Sequence, residues 1–104
     1  MSETITFTTC KDRREAETIA RALVQEKLAA CVNILPGVAS IYTWKGKVEE
    51  GVEVLLLIKS RSSLWKKVTA RVKQLHSYSV PEVVTIPIAA GNPDYLRWIR
   101  ESTR

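Results

Sequence analysis

Ile5 and Phe7 alternate with Thr4, Thr6 and Thr8 over the first ten residues. That two-residue period predicts a half-buried strand over residues 3–10, ending at Cys10. The period then changes. Asp12 followed by Glu15 is a helix-start pair, and Ala16, Ile19, Ala20, Leu23, Val24 and Leu28 repeat at helical spacing, which predicts a helix from about Asp12 to Leu28. From Cys31 to Trp44 the chain is β-rich, with Pro36-Gly37 placed to bend or bulge one long strand. Lys45-Gly46 supplies turn chemistry, and the apolar run from Val52 to Ile58 reads as a buried central strand, so the two strands are expected to form a long hairpin.

A second helix is expected after Ser62 or Ser63 as its cap, with Leu64, Trp65, Val68, Val72 and Leu75 on one face, stopping near His76 ahead of Pro81. Val83 to Ala89 reads as a fourth strand that Pro87 confines to a sheet edge. Asn92-Pro93-Asp94 then opens a short terminal helix carrying Tyr95, Trp98 and Ile99. The order is β-α-β-β-α-β plus one helix. This is an α+β, ferredoxin-like arrangement, expected as a single domain over residues 1–104, with two helices on one sheet face. The other face and the overhanging hairpin then need a cover, and self-association supplies one.

Composition narrows the function classes. Hydrophobic residues are 45% and charged residues 26% of 104, the balance of a globular chain. No stretch approaches the ~20 apolar residues of a membrane span, and Met1-Ser2-Glu3-Thr4 lacks the pattern of a secretory signal, so a cytoplasmic protein without a membrane partner is expected. Cys10 and Cys31 are too few and too isolated for a disulfide framework and read as free thiols, Cys31 as a core residue among small apolar neighbours.

The net charge of +5 is unevenly placed: residues 1–53 carry seven basic and eight acidic groups, residues 54–104 nine and three. Such a basic half could face an anion or simply be a solvated helix face. Nucleic acid is not expected as a partner, because the central strands offer only Phe7 for base stacking. Phosphate-loop, dinucleotide-binding, nucleophile-elbow and zinc-protease motifs are absent from the sequence, which points away from an enzyme.

Two residues carry candidate metal chemistry. His76, the only histidine, falls where the second helix should end, and Cys10 falls at the end of the first strand. A histidine there also suits the helix dipole, which is the plainer reading. A thiolate and an imidazole on one rim would suit copper or zinc, but two ligands do not close a site; Glu82, water or a second subunit would have to complete it.

The segments Glu26-Lys27-Leu28-Ala29-Ala30-Cys31-Val32-Asn33-Ile34, Ser40-Ile41-Tyr42-Thr43-Trp44-Lys45-Gly46-Lys47, Leu75-His76-Ser77-Tyr78 leading to Val80-Pro81-Glu82, and Gly91-Asn92-Pro93-Asp94-Tyr95 resemble, in unbroken order, the CutA family of divalent-cation tolerance proteins. The resemblance implies a ferredoxin-like subunit in a homotrimer similar to the PII signalling proteins. It also implies a role in response to divalent metals, with copper or a similar divalent cation held by the residues that match the family's proposed ligands, Cys10 and His76. Leu75 stands where some relatives have a second histidine, which subtracts one proposed ligand. The PII-like geometry implies an alternative, a trimeric small-ligand sensor or scaffold with an inter-subunit cleft lined by Trp44, Lys59, Tyr78 and Glu82. Lys59 and the basic helix would favour an anion there.

Overall fold

The computed structural model describes residues 3–104. Its elements are β1 (Glu3–Cys10), α1 (Arg13–Gln25), β2 (Cys31–Trp44), β3 (Lys47–Arg61), a 3₁₀ turn (Ser62–Leu64) leading into α2 (Trp65–Leu75), β4 (Val84–Pro87) and α3 (Pro93–Glu101). The sheet order is β2-β3-β1-β4 with every neighbouring pair antiparallel, which is the ferredoxin-like order with one added helix.

Asp12 caps α1 by accepting from the Glu15 N–H at 2.9 Å, as the pair predicted. The helix ends three residues earlier than its periodicity suggested. Lys27 turns left-handed (φ 62°), so that the Leu28 and Ala29 N–H groups reach back to the Leu23 carbonyl and Ala30 can donate to Lys59 O. The bulge in β2 lies between Leu35 and Val38, with Gly37 at φ 74°. Lys45 and Gly46, both at positive φ, form the two-residue turn that joins β2 to β3. β3 extends well beyond the expected Val52–Ile58 because polar residues near the turn pair across the hairpin as readily as apolar ones.

Neither Ser62 nor Ser63 caps α2. Both are consumed in the 3₁₀ turn, and Leu64 occupies the cap position without a side-chain bond. Trp65, expected on the apolar face, is 47% exposed, since it sits one residue, about a quarter turn, off the Leu64-Val68-Val72 stripe. β4 is shorter than expected at four residues, although Ile88 still donates to Glu3 O. Asn92 caps α3 through the Asp94 N–H, with Pro93 following, as read from the sequence.

The core lies between the sheet and α1 and α2, built from Ala16, Ile19, Leu23, Val54, Leu56, Ile58, Val68 and Val72. β1 turns its threonines to this core: Thr4, Thr6, Thr8 and Cys10 are buried, while Ile5 and Phe7 face the other way. On that second face Phe7 lies opposite Leu57 and Val84, and Ile5 opposite Lys59 and Ile86. α3 covers only one end of it, where Arg100 pairs with Glu3 at 2.8 Å and Arg61 binds Thr103 and the Arg100 carbonyl. Leu35, Val84 and Ile86 stay exposed there. Cys31 is half-buried opposite Lys59 on this same face, not a core thiol.

Candidate functional site

Three elements meet at one rim of the sheet. β1 delivers Cys10 at its last position, the first turn of α1 delivers Glu15, and the chain leaving α2 delivers His76. One donor atom from each, the Cys10 sulfur, a Glu15 carboxylate oxygen and a His76 ring nitrogen, lies within 4.8 Å of the others.

Two of the three, His76 and Glu15, are already held by hydrogen bonds. The His76 ring is fully buried; its Nε2 is 2.7 Å from the Thr9 carbonyl oxygen and its Nδ1 is 3.1 Å from the Tyr78 backbone nitrogen. A carbonyl only accepts and a backbone N–H only donates, so Nε2 carries the ring proton and Nδ1 offers its lone pair to Tyr78. Glu15 accepts from the Lys11 N–H through Oε1 (3.1 Å) and from the Ser77 N–H through Oε2 (2.8 Å). Its Oε1 stands 3.9 Å from His76 Nδ1. Burial pushes the Glu15 carboxyl up, but the bonds from Ser77 and Lys11, together with His76, outweigh this and hold it below its ordinary value. Burial, with the charges of Glu15, Asp12 and Glu53 added, pushes the Cys10 thiol up to about 12.

Sulfur, nitrogen and carboxylate oxygen are a donor set suited to zinc or copper. Donors around a tetrahedral ion with ~2.0–2.3 Å bonds sit about 3.3–3.8 Å apart, so these three need to draw in by about an ångström at their widest. The residues fit an ion on two conditions: the Cys10 thiol gives up its proton, and Nδ1 exchanges the Tyr78 N–H for the ion.

Beyond His76 a cleft of about 740 Å³ opens between the loop after α2 and the overhanging hairpin. Thr9, Trp44, Tyr42, Glu53, Tyr78 and Glu82 are among its lining residues. The Tyr78 hydroxyl donates to Glu53 Oε2 at 2.8 Å, and burial together with that bond pushes the phenol well above its usual range.

The family model for CutA1 divalent ion tolerance protein matches residues 4–102. The chain belongs to the CutA1 family. It is 52% identical over 101 residues to the Divalent-cation tolerance protein CutA of Thermus thermophilus, covering 97% of this chain and 98% of that one, and the solved Thermus structure superimposes with a TM-score of 0.96. The crystal structure of CutA from Xylella fastidiosa is 41% identical over the whole of both chains, with a TM-score of 0.97. Mouse Protein CutA is 50% identical over 97 residues, and there the chain spans about half of the relative's length (55%). The family and the Thermus relative are both described by divalent-cation tolerance.

In this CutA1 chain the residues singled out from the sequence are distributed between two places. Cys10 and His76 meet, and Trp44, Tyr78 and Glu82 share the cleft. Glu82 is absent from the Cys10–His76 group; Glu15 is the acid that joins it. Lys59 is absent from the cleft within one chain: its Nζ donates to Asn33 Oδ1 at 2.6 Å and lies 5.9 Å from the Tyr95 ring, on the face that α3 partly covers. Sequence reasoning took Glu15 only as a helix-start acid and passed over Glu53. The one available signal for Glu53 was a carboxylate set at the head of an apolar strand.

Proposed function

We propose that the chain acts as a homotrimer that captures copper or a similar divalent ion through Cys10, His76 and Glu15 and so contributes to metal-ion response. The observation that carries the reading is the convergence of a thiol, an imidazole and a carboxylate from three separate elements within 4.8 Å. The name of the Thermus relative, a divalent-cation tolerance protein, supports the same direction. Support for self-association comes from the apolar sheet face that α3 leaves open, with Leu35, Val84 and Ile86 exposed. Two free cysteines suit a reducing compartment, and the reading places the protein in the cytoplasm.

On this reading, capture uses the three groups as they stand. Cys10 releases its proton as its sulfur binds, and His76 turns its Nδ1 lone pair from the Tyr78 N–H to the ion while Nε2–H stays on Thr9 O. Glu15 adds negative charge and one oxygen without leaving its backbone donors, because each carboxylate oxygen has a second acceptor site. Proton loss from a thiol near 12 opposes binding at neutral pH, so the affinity is modest and rises with pH.

The test is an anaerobic titration of reduced, metal-free protein with Zn(II) and Cu(II) against a competing chelator. Cys10→Ala, His76→Ala and Glu15→Gln are each expected to weaken binding at least tenfold, and Glu82→Gln to leave it unchanged. Affinity that ignores both Cys10→Ala and His76→Ala overturns the ligand set; loss in Glu82→Gln but not in Glu15→Gln replaces one acid with the other.

A further inference from the structure

α1 and α2 lie side by side over one sheet face and run in opposite directions. Glu15, in the first turn of α1, accepts from the Ser77 N–H just beyond α2, and Glu26, at the end of α1, pairs with Arg71 of α2 at 2.9 Å. Every acid on this layer is committed within the chain. Asp12 caps α1, Glu15 holds two backbone N–H groups, Glu17 pairs with Arg13 at 2.8 Å and Glu26 with Arg71, and no acid stands between Glu53 and Glu82. The cations are not all committed. Among the described residues, the exposed side chains of Arg14, Arg21, Lys66, Lys67 and Lys73 have no hydrogen-bonded or ion-paired partner. The net charge of the chain is +5, so these five residues carry as much charge as the whole surplus.

The five are ordered by the helices that carry them. Arg14 and Arg21 on α1, and Lys66 and Lys73 on α2, are each seven residues apart, which is two turns, a rise of about 10.5 Å and a rotation of only about 20°. Both pairs lie opposite the buried stripes of their helices, Ala16-Ile19-Leu23 and Val68-Val72, and so form two outward rows about 8–10 Å apart, the spacing of packed helices. Thr18 stands between the members of the first row and Ala70 between those of the second, both short and exposed, so the cations project past the floor of the face. Lys67, one turn before Arg71, lies on the flank of α2 that faces α1. Trp65, with Lys66 Nζ 5.8 Å from its ring, lies on the other flank. The layer is on the far side of the sheet from the face that α3 partly covers. Neither surface read as meeting other copies, that second face or the overhanging hairpin, includes any of the five.

We infer that the outer face of the α1–α2 layer docks an acidic segment of a partner protein, a helix that presents carboxylates to the two rows of cations. A helix lying along α1 and α2 offers side chains at the same two-turn repeat as each row, and its i, i+3 and i+4 neighbours reach both rows at once. The short floor at Thr18 and Ala70 lets its axis come close. Nucleic acid would draw further on base stacking, for which no ring stands between the rows, and a bilayer on apolar insertion, for which no long apolar side chain stands there. Each exposed ion pair contributes little by itself, so binding needs several together and weakens with salt.

The probe is a fluorescently labelled 21-residue peptide of three heptads, each with glutamate at its first and fifth positions and alanine elsewhere, titrated with the full chain in 50 mM salt and read by anisotropy. It is expected to bind at least tenfold more tightly than the same peptide with glutamine for glutamate. It should also bind at least threefold more tightly than a peptide of equal composition whose glutamates run together at one end. Lys66→Ala with Lys73→Ala, and Arg14→Ala with Arg21→Ala, are each expected to lower affinity at least tenfold. Lys47→Ala with Arg97→Ala removes the same charge elsewhere on the surface and should change affinity less than twofold. Raising salt to 300 mM should weaken binding at least fivefold. Equal losses in all three double variants would reduce the effect to net charge and overturn the docking face, as would a peptide that fails to saturate. A 20-base-pair duplex, or vesicles of one part phosphatidylserine to two of phosphatidylcholine, binding more tightly than the peptide and losing affinity in both helix variants would overturn the choice of partner.

Discussion

Glu15 does two jobs with one carboxylate. As the acid of the helix-start pair and the third residue of α1 it closes the first turn onto the Lys11 N–H, and with its other oxygen it fastens Ser77, 62 residues further along the chain. Its charge is held below the ordinary carboxylate value, so its folded-state pKa lies beneath its unfolded one. The stability it contributes is therefore fully present above the unfolded value of 4.5 and is lost as pH falls through the folded value. In metal-free protein, Glu15→Gln is expected to cost about 1–3 kcal/mol at pH 7, because an amide supplies one acceptor oxygen where two backbone donors wait. The gap to wild type should close as pH drops from 5 to 3; equal acid limbs in urea unfolding curves for the two proteins would refute the clamp. Cys10 and His76 were legible in the sequence because a lone histidine after a helix and a cysteine at a strand end are conspicuous residue types. Glu15 and Glu53 were not, because the second partner of each, Ser77 and Tyr78, is remote in sequence and supplied only by the fold.

At the scale of elements, β1 shows where periodicity informs and where it misleads. The alternation of Ile5 and Phe7 with threonine identified the strand, but a two-residue period does not say which side meets the helices. In the structure the threonines do, and the Thr4 and Thr8 hydroxyls are buried without a hydrogen-bond partner among the described residues, while Thr6 pairs with Thr85 at 2.7 Å. A buried hydroxyl left unpaired costs roughly 1–3 kcal/mol. Thr8→Val keeps the branched shape and β propensity, and exchanges the hydroxyl for a methyl group against the core. It is expected to stabilise the protein by about 1 kcal/mol, read as a raised urea midpoint with unchanged slope at fixed protein concentration. An unchanged or lowered midpoint would mean that the hydroxyl is satisfied in solution. The helix starts at Asp12 and Asn92, the β2 bulge and the hairpin turn were readable because each is set by local dihedral and hydrogen-bond chemistry. The missing serine cap of α2 and the early end of α1 were not, since both follow from how the chain must enter or leave the sheet.

At the scale of the molecule, one sheet face is closed by α1 and α2 and the other is left half-made. Ile5, Phe7, Leu55, Leu57, Val84 and Ile86 turn toward that second face, and α3 covers only the end where Glu3, Arg61, Arg100 and Thr103 bond together. The polar end is satisfied within the chain: Glu3 and Arg100 form an ion pair, and Arg61 donates to Thr103 and the Arg100 carbonyl. The apolar stretch is not, and β1 lies at its centre between β3 and β4. If this face is where copies meet in the proposed homotrimer, Phe7 is the residue on which assembly turns, because it sits opposite Leu57 and Val84 and away from the α1–α2 core. Phe7→Glu removes about 1.5–3 kcal/mol of apolar burial per copy and sets a charged group against Leu57 and Val84, which costs more if the face is to be buried. The two terms recur in each subunit, so the variant is expected to sediment as a monomer at micromolar concentration while keeping the far-ultraviolet circular dichroism of the wild type. Lys66→Glu on α2, an exposed change on the opposite layer, should leave the sedimentation coefficient unaltered. A Phe7→Glu protein that still sediments as a trimer would move the interface from the sheet face to the overhanging hairpin, where Ile41, Val48 and Val52 are more than 70% exposed and await a partner of their own.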